Sequence, residues 1–415
     1  MDSIIKDRQY YKFCAYGFLR NLRFFEAFLV LYLIEKEFSF TNIGILYAIR
    51  EVSANLLEIP SGIAADVLGR KKTLASSFLA YILSFLIFYF FDDFPLFTVG
   101  FFLFGVGEAF RSGTHKGMIA DYLKRGPGKD QMIEYYGHTR SWSQKGLALS
   151  SIAAGLIVFY SGNYKGIFLF STIPYVFNFV LVLSYPSFLD KDSRKKKLKK
   201  RHQLKAVLSD SVSTLKSRHV LNLLNISALH TAYLKAMKDY IQPMIFSLVI
   251  LLPFLTSYSE EKRSSIFIGF VYFCIFLMTS RASIYAGKLA ESRTKNIPAL
   301  TLLGGLSAGV FSGLLYLLNI PIGAVLFFII IYLVENLRKP ILTGYISHNV
   351  DNSILTSVLS VQSLMKTVLT AIIALVFGIA ADFYGIGMAL VLVSSILIVF
   401  TLFIGIISRN TEVEL

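Results

Sequence analysis

The chain has 415 residues, 55% hydrophobic and only 16% charged, where a soluble globular domain carries about 45–50% apolar and about 25% charged residues. A mean hydropathy of +0.61 and repeated long apolar runs exclude an ordinary soluble domain and point to a polytopic membrane protein. The formal charge of +15 is spread over loops and apolar helices rather than one soluble face, so nucleic acid is not expected as a partner, whereas membrane lipids are.

The opening MDSIIKDRQYYKF has no basic stretch followed by an apolar core and a small-residue cleavage site, so no signal peptide is read there. Twelve apolar spans then follow, at 11–34, 41–65, 73–91, 95–122, 138–160, 164–184, 219–250, 264–288, 297–317, 320–346, 355–380 and 385–407. The expected fold class is an all-α membrane protein of twelve transmembrane helices.

Several spans carry ionisable groups. The first holds Arg20, Arg23 and Glu26, with Tyr16 one turn before Arg20. The second holds Arg50, Glu51 and Glu58 and ends in GIAADVLGRKK, residues 62–72. The fourth contains GEAFRSGTHKGMIADYL, with Glu108, Arg111 and His115 at helical spacing on one predicted stripe. The fifth opens on Arg140, Gln144 and Lys145. After the sixth comes LDKDSRKKKLKKRHQLK at 189–205, with nine Lys or Arg. That run divides the chain into an N-terminal six-helix bundle at 1–188, a basic linker at 189–218 and a C-terminal bundle at 219–415. The seventh span carries His230, Lys235, Lys238 and Asp239, the tenth Glu335 and Arg338, the eleventh Lys366. Cys14 and Cys274 lie far apart in apolar segments and suggest neither a disulfide nor a metal site; no cofactor is expected.

Lys and Arg set orientation through the positive-inside rule. The linker, the GRKK at 69–72 and the KRGPGK at 124–129 fall on one side, which places them and both termini in the cytoplasm of a multi-pass protein of the cytoplasmic membrane.

The two halves resemble one another at charged positions. Glu108 and Arg111 recur as Glu335 and Arg338 at a spacing of 227 residues. Arg20 and Arg23 recur as Lys235 and Lys238 at a spacing of 215. Lys145 matches Lys366, and GIAADVLGRKK has a degraded echo in GKLAESRTK after the eighth span. Internal duplication with a central site between repeats is a common build for transporters. It predicts two pseudo-symmetric bundles with Arg20 facing Lys235 across a cavity.

A charged side chain at the centre of a lipid-facing helix costs about 2.5–3.5 kcal/mol. Arg20, Arg23, Arg111, Lys235, Lys238 and Arg338 would together cost on the order of 15–20 kcal/mol if all faced lipid. They must meet water, opposite charge or a ligand. In one reading, Glu108–Arg111 and Glu335–Arg338 are intrahelical pairs that steady packing. In the other, an excess of cations forms a binding site for an anion, with Glu26, Glu108, His115, Asp239 and Glu335 as ion-pair or coupling groups. Guanidinium forks and point-like ammonium groups suit carboxylate, phosphate or sulfonate oxygens.

The GIAADVLGRKK loop, with Gly62, Asp66, Gly69, Arg70 and Lys71, closely resembles the signature between helices 2 and 3 of the major facilitator superfamily. Twelve spans, a basic central loop and two similar halves extend the resemblance over nearly the whole chain. It implies that helices 1, 4, 7 and 10 line a cavity open alternately to each side, and that Asp66 and Arg70 help latch the cytoplasmic side. FLFGVGEAF at 102–110 is similar to part of the helix-4 pattern of drug–proton antiporters, but Phe101 stands where that pattern has arginine. The fifth span also lacks their Gly-Pro pair.

The resulting expectation is a monomeric secondary transporter for a small organic anion, coupled to a proton or counter-ion. The alternative is a proton-coupled exporter of drugs or metabolites. No nucleophile motif, phosphate-binding loop or metal-ligand spacing suggests an enzyme.

Overall fold

The computed structural model describes residues 6–125, 132–190, 218–253, 255–290, 297–349 and 355–412, and these are helical with no strand. The basic linker from 191 to 217, most of KRGPGK, and the side chains and later residues of GKLAESRTK lie outside the described residues.

Helices run α1 Arg8–Arg20, α2 Leu29–Glu35, α3 Phe40–Leu56, α4 Glu58–Leu68, α5 Arg70–Phe90, α6 Phe94–Arg111, α7 Thr114–Arg125, α8 Met132–Ser161 and α9 Gly166–Leu183. They continue as α10 Arg218–Met237, α11 Ile241–Leu251, α12 Glu260–Ala290, α13 Ile297–Leu317, α14 Pro321–Asn349 and α15 Leu355–Glu412.

Among the described residues, seven helical stretches are long and apolar enough to cross a membrane: Arg70–Phe90, Phe94–Leu123, Gly166–Leu183, Glu260–Ala282, Ile297–Leu317, Pro321–Leu342 and Val358–Ile406. Seven is fewer than the sequence predicted, for identifiable reasons. The predicted first, second and seventh spans are each divided between two shorter helices, α1 with α2, α3 with α4, and α10 with α11. The predicted eleventh and twelfth share α15, which bends at Gly385, and the predicted fifth lies in one helix, α8, that is too polar in its first half to be among the seven.

Two of the breaks fall at the basic pairs. Helix α1 stops at Arg20, where Asn21 takes the C-cap position and its Nδ2 bonds back to the Gly17 carbonyl at 2.7 Å. A 3₁₀ turn over Phe24–Ala27 follows before α2 begins. Helix α10 stops at Met237, and a 3₁₀ turn over Lys238–Tyr240 precedes α11. The predicted fourth span also breaks, at Ser112 and Gly113, directly after Arg111.

The chain forms two compact units. One comprises Met1–Tyr32, Ile49–Lys197 and Phe254–Phe276; the other comprises Leu33–Ala48, Leu198–Pro253 and Leu277–Leu415. In the first unit α1 packs on α8 and α9, and α5 packs on α6 and α9. In the second, α10 packs on α15, and α13 on α14 and α15.

The aromatic residues correct a simple expectation. Their abundance suggests mainly lipid-facing and interfacial rings, yet many are buried. In the first unit Phe25, Tyr81, Phe85, Phe104, Phe168 and Tyr175 form a continuous layer, with Tyr81 and Tyr175 edge to face at 5.2 Å and Phe85 and Tyr175 at 5.0 Å. Lipid competes with apolar burial, so association inside a bilayer depends on close packing and polar contacts. Edge-to-face pairs supply about 0.5–1.5 kcal/mol each beyond area burial.

Candidate functional site

The aromatic layer of the first unit lies beside a compact charge cluster. Glu108 sits in the last turn of α6, and its Oε1 accepts from Arg23 Nη2 at 2.9 Å. Arg20 Nη2 lies 3.7 Å from the same oxygen. The other oxygen, Oε2, accepts from Arg111 Nη2 at 2.5 Å. Arg111 Nε also donates to the Tyr81 hydroxyl at 3.4 Å. The Tyr175 hydroxyl donates to the Arg20 carbonyl at 3.1 Å, at the C-terminal end of α1.

Arg20 ends α1 and Arg23 stands three residues on, just before the Phe24–Ala27 turn, a spacing that in a helix would also put both side chains on one face. Both guanidinium groups turn toward α6. Charge then decides the chemistry. Glu108 meets three cations, and Glu26 in the Phe24–Ala27 turn is in electrostatic reach of Arg23. Even with both carboxylates ionised, at least one positive charge is in excess. The four side chains of the Glu108 cluster are partly buried, keeping 15–24% of their surface exposed. Arg20 Nε and Arg23 Nε are buried and have no hydrogen-bond partner among the described residues.

The predicted stripe of Glu108, Arg111 and His115 is interrupted. Because α6 ends at Arg111 and α7 restarts at Thr114, His115 leaves the face shared by the other two. Its ring stacks on Tyr16 at 3.6 Å with the planes 10° apart, and Phe13 meets it edge-on at 5.4 Å. Its Nε2 lies 3.4 Å from the Tyr185 hydroxyl.

In the second unit the matching positions diverge. The expected intrahelical pair between Glu335 and Arg338 does not form. Glu335 accepts from His230 Nδ1 and from the Thr231 hydroxyl, both at 2.9 Å. Arg338, 1% exposed, donates to the Pro298 and Ile226 carbonyls and, at 2.7 Å, to Thr301 Oγ1. It clasps α14 to α10 and α13. Its hydrogen bonds all go to neutral oxygens. Lys238 Nζ lies 3.6 Å from the buried Asp239, whose other oxygen accepts from the Tyr47 hydroxyl at 2.8 Å. Lys235 is exposed on α10.

The GIAADVLGRKK residues join α4 to α5. Gly69, at φ +97° and ψ 149°, makes the turn in a region essentially restricted to glycine. Gly62 and Asp66 lie on α4. Arg70 pairs with Asp121 on α7. The Lys71 amide donates to Asp190 Oδ1 and its Nζ to the Tyr185 carbonyl, each at 2.9 Å. Asp121 and Asp190 were not singled out by the sequence, because neither stands at a recognisable spacing from the motif. Arg50 pairs with Glu51 at 3.6 Å, and Glu58 accepts from Ser112 Oγ at 3.1 Å. Arg140, Gln144 and Lys145 are exposed, with Lys145 over the Trp142 ring at 5.2 Å. Among the described residues no cluster of His, Cys, Asp and Glu could hold a metal ion.

Residues 13–374 match the family described as Major Facilitator Superfamily. A relative from Bacillus subtilis (strain 168), named as an uncharacterized MFS-type transporter, YxaM, is 24% identical over 395 residues, covering 93% of each chain. Among solved structures, the nucleoside transporter NupG superposes with a TM-score of 0.72 at 14% identity, covering 96% of this chain and 98% of that one. A peptide transporter POT in complex with sulfate gives 0.69 at 16% identity, covering 97% and 96%.

Proposed function

The chain belongs to the major facilitator superfamily, and we propose that this multi-pass membrane transporter moves a small organic anion by alternating access. In this reading the chain crosses the cytoplasmic membrane twelve times as a monomer, with both termini and the basic linker in the cytoplasm, in exchange with a counter-ion or together with a proton.

The observation that carries the reading is the excess of guanidinium around Glu108. A site for a neutral solute has no reason to hold three arginines at one carboxylate, since each charged group loses hydration at a cost of several kcal/mol. An anion that enters beside Arg20 and Arg23 satisfies the surplus, and until it does the Glu108 carboxylate offsets the repulsion among the arginines. Nucleoside and peptide transporters share the fold, so the fold leaves substrate class open and the cluster supports the choice. One neighbour is a peptide transporter with sulfate bound, which makes sulfate a sensible first probe.

The test is a ligand-stabilisation screen of the purified full-length protein, since a ligand that binds only the folded state raises apparent stability as RT ln(1 + [L]/Kd). Sulfate, phosphate, mono- and dicarboxylates and sulfonates should stabilise it. A panel of lipophilic cations and neutral drugs should not. The reverse pattern would replace the anion reading with that of a proton-coupled drug or metabolite exporter.

A further inference from the structure

The octet at 62–69, Gly-Ile-Ala-Ala-Asp-Val-Leu-Gly, recurs at 378–385 as Gly-Ile-Ala-Ala-Asp-Phe-Tyr-Gly. The backbone recurs with it. The closing glycine has φ +97° and ψ 149° at Gly69, and φ +79° and ψ 164° at Gly385. Both values lie where residues with a Cβ are strained, and in each copy the glycine joins one helical stretch to the next. Arg70 and Lys71 follow the first copy, whereas Ile386 and Gly387 follow the second. That difference suits turns on opposite faces of a membrane under the positive-inside rule.

In the second copy the aspartate has a defined job. Asp382 Oδ1 accepts from the Phe40 amide at 2.7 Å and Oδ2 from the Thr41 amide at 2.9 Å. These are the first amides of α3, which have no acceptor inside their own helix. A carboxylate there also meets the positive end of the helix dipole. The backbones close tightly around this contact. A Cβ at Gly378 would stand 2.3 Å from the Phe40 carbonyl oxygen, and one at Gly44 would stand 2.4 Å from that of Ala374. Beneath them the Tyr240 ring packs on Phe40 and Phe377, at 6.0 and 4.4 Å. All of these residues belong to one compact unit.

We propose that residues 378–385 are a second latch, built on the same octet as the cytoplasmic turn, whose Asp382 holds the start of α3 while the transporter is closed to the outside and lets go when it opens outward. The inference rests on the alternating-access reading and its twelve-crossing topology. A contact made of two charge-assisted bonds to backbone amides and of glycine-enabled packing is strong when formed, yet crosses no covalent loop and can separate as a unit.

The test needs no substrate. Spin labels at Glu37→Cys and Tyr384→Cys, in full-length protein with Cys14→Ala and Cys274→Ser, report the separation of the two segments by electron paramagnetic resonance. The parent should show mainly the close population. Asp382→Asn keeps the size but removes the charge and one acceptor, and should enlarge the separated population at least fivefold. Gly378→Ala, which wedges the same contact from the backbone side, should do likewise. Unchanged distances in either folded variant, or lower thermal stability with no change in distance, would overturn the latch. Because no anion enters the assay, failure here and failure of the anion reading are separate results.

Discussion

Arg23 Nη2 donates to Glu108 Oε1 over 2.9 Å, tying the break after α1 to the last turn of α6. The bond joins residues 85 positions apart and places a second cation beside the one that Glu108 already holds in Arg111. Glu108→Gln keeps the shape and removes the shared counter-charge. Losing one partner of a buried ion pair costs about 3–5 kcal/mol, and partial exposure of this cluster lowers the expectation to about 1–3 kcal/mol. Ligand-free thermal stability should fall, and sulfate should then stabilise the variant more than the parent. Equal stabilisation of both would show that Glu108 is not the counter-ion of the site.

Arg338 should behave differently from the other arginines. Its three acceptors belong to Pro298, Thr301 and Ile226, so its removal loosens three helices without touching the Glu108 cluster. Arg338→Met should lower stability by about 2–4 kcal/mol, the scale of several charge-assisted hydrogen bonds less their replacement by apolar packing. Anion affinity of the folded variant should stay within about twofold, measured by titration calorimetry with sulfate. A tenfold loss of affinity at unchanged stability would return Arg338 to the binding site.

These two arginines show what was legible in the sequence. Membrane cost alone required that both meet a partner, and both do. The spacing of 227 residues that relates Arg111 to Arg338 carried no information about which partner. In the first unit the helix ends beside Arg111 and the side chain stays with Glu108. In the second unit α14 runs on through Pro340, and Arg338 finds carbonyls on α10 and α13 instead. The helix extents around the long apolar runs were readable from hydropathy. The breaks at Asn21, Ser112 and Lys238 were not, because no proline or glycine pair marks the first or third. Asp382 was hidden for another reason: its octet resembles the one at 62–69 but lacks the basic residues that made the first copy conspicuous.

His115 is held by rings rather than by charge. Stacked on Tyr16 and edge-on to Phe13, it fills an aromatic slot that another flat ring can occupy. His115→Phe should change anion affinity less than twofold and leave the pH profile of binding intact between about pH 5 and 8, the range in which histidine normally titrates. A profile that flattens in the variant would assign His115 to proton handling.

The turn between α4 and α5 is expected to control rate rather than affinity. Arg70 pairs with Asp121 across to α7, and Asp121→Asn removes that charge at constant size. Turnover of a bound anion, followed in proteoliposomes, should fall several-fold while its affinity stays within about twofold. The same split is expected for Asp66→Asn. Equal losses in affinity and turnover would place these residues at the binding site instead.

The central claim is that Arg20 and Arg23 bind the charged end of the substrate. Losing one member of a buried charged contact commonly costs about 2–5 kcal/mol, so Arg20→Ala and Arg23→Ala should each weaken binding at least tenfold. Arg20→Lys should recover only part of it, because ammonium supplies charge without the planar fork. The measurement is the dissociation constant of the best anion from the stabilisation screen, taken at neutral pH on variants shown to be folded by thermal unfolding. Tenfold or greater weakening in both alanine variants is the expected result; folded alanine variants that bind the anion as tightly as the parent would contradict it.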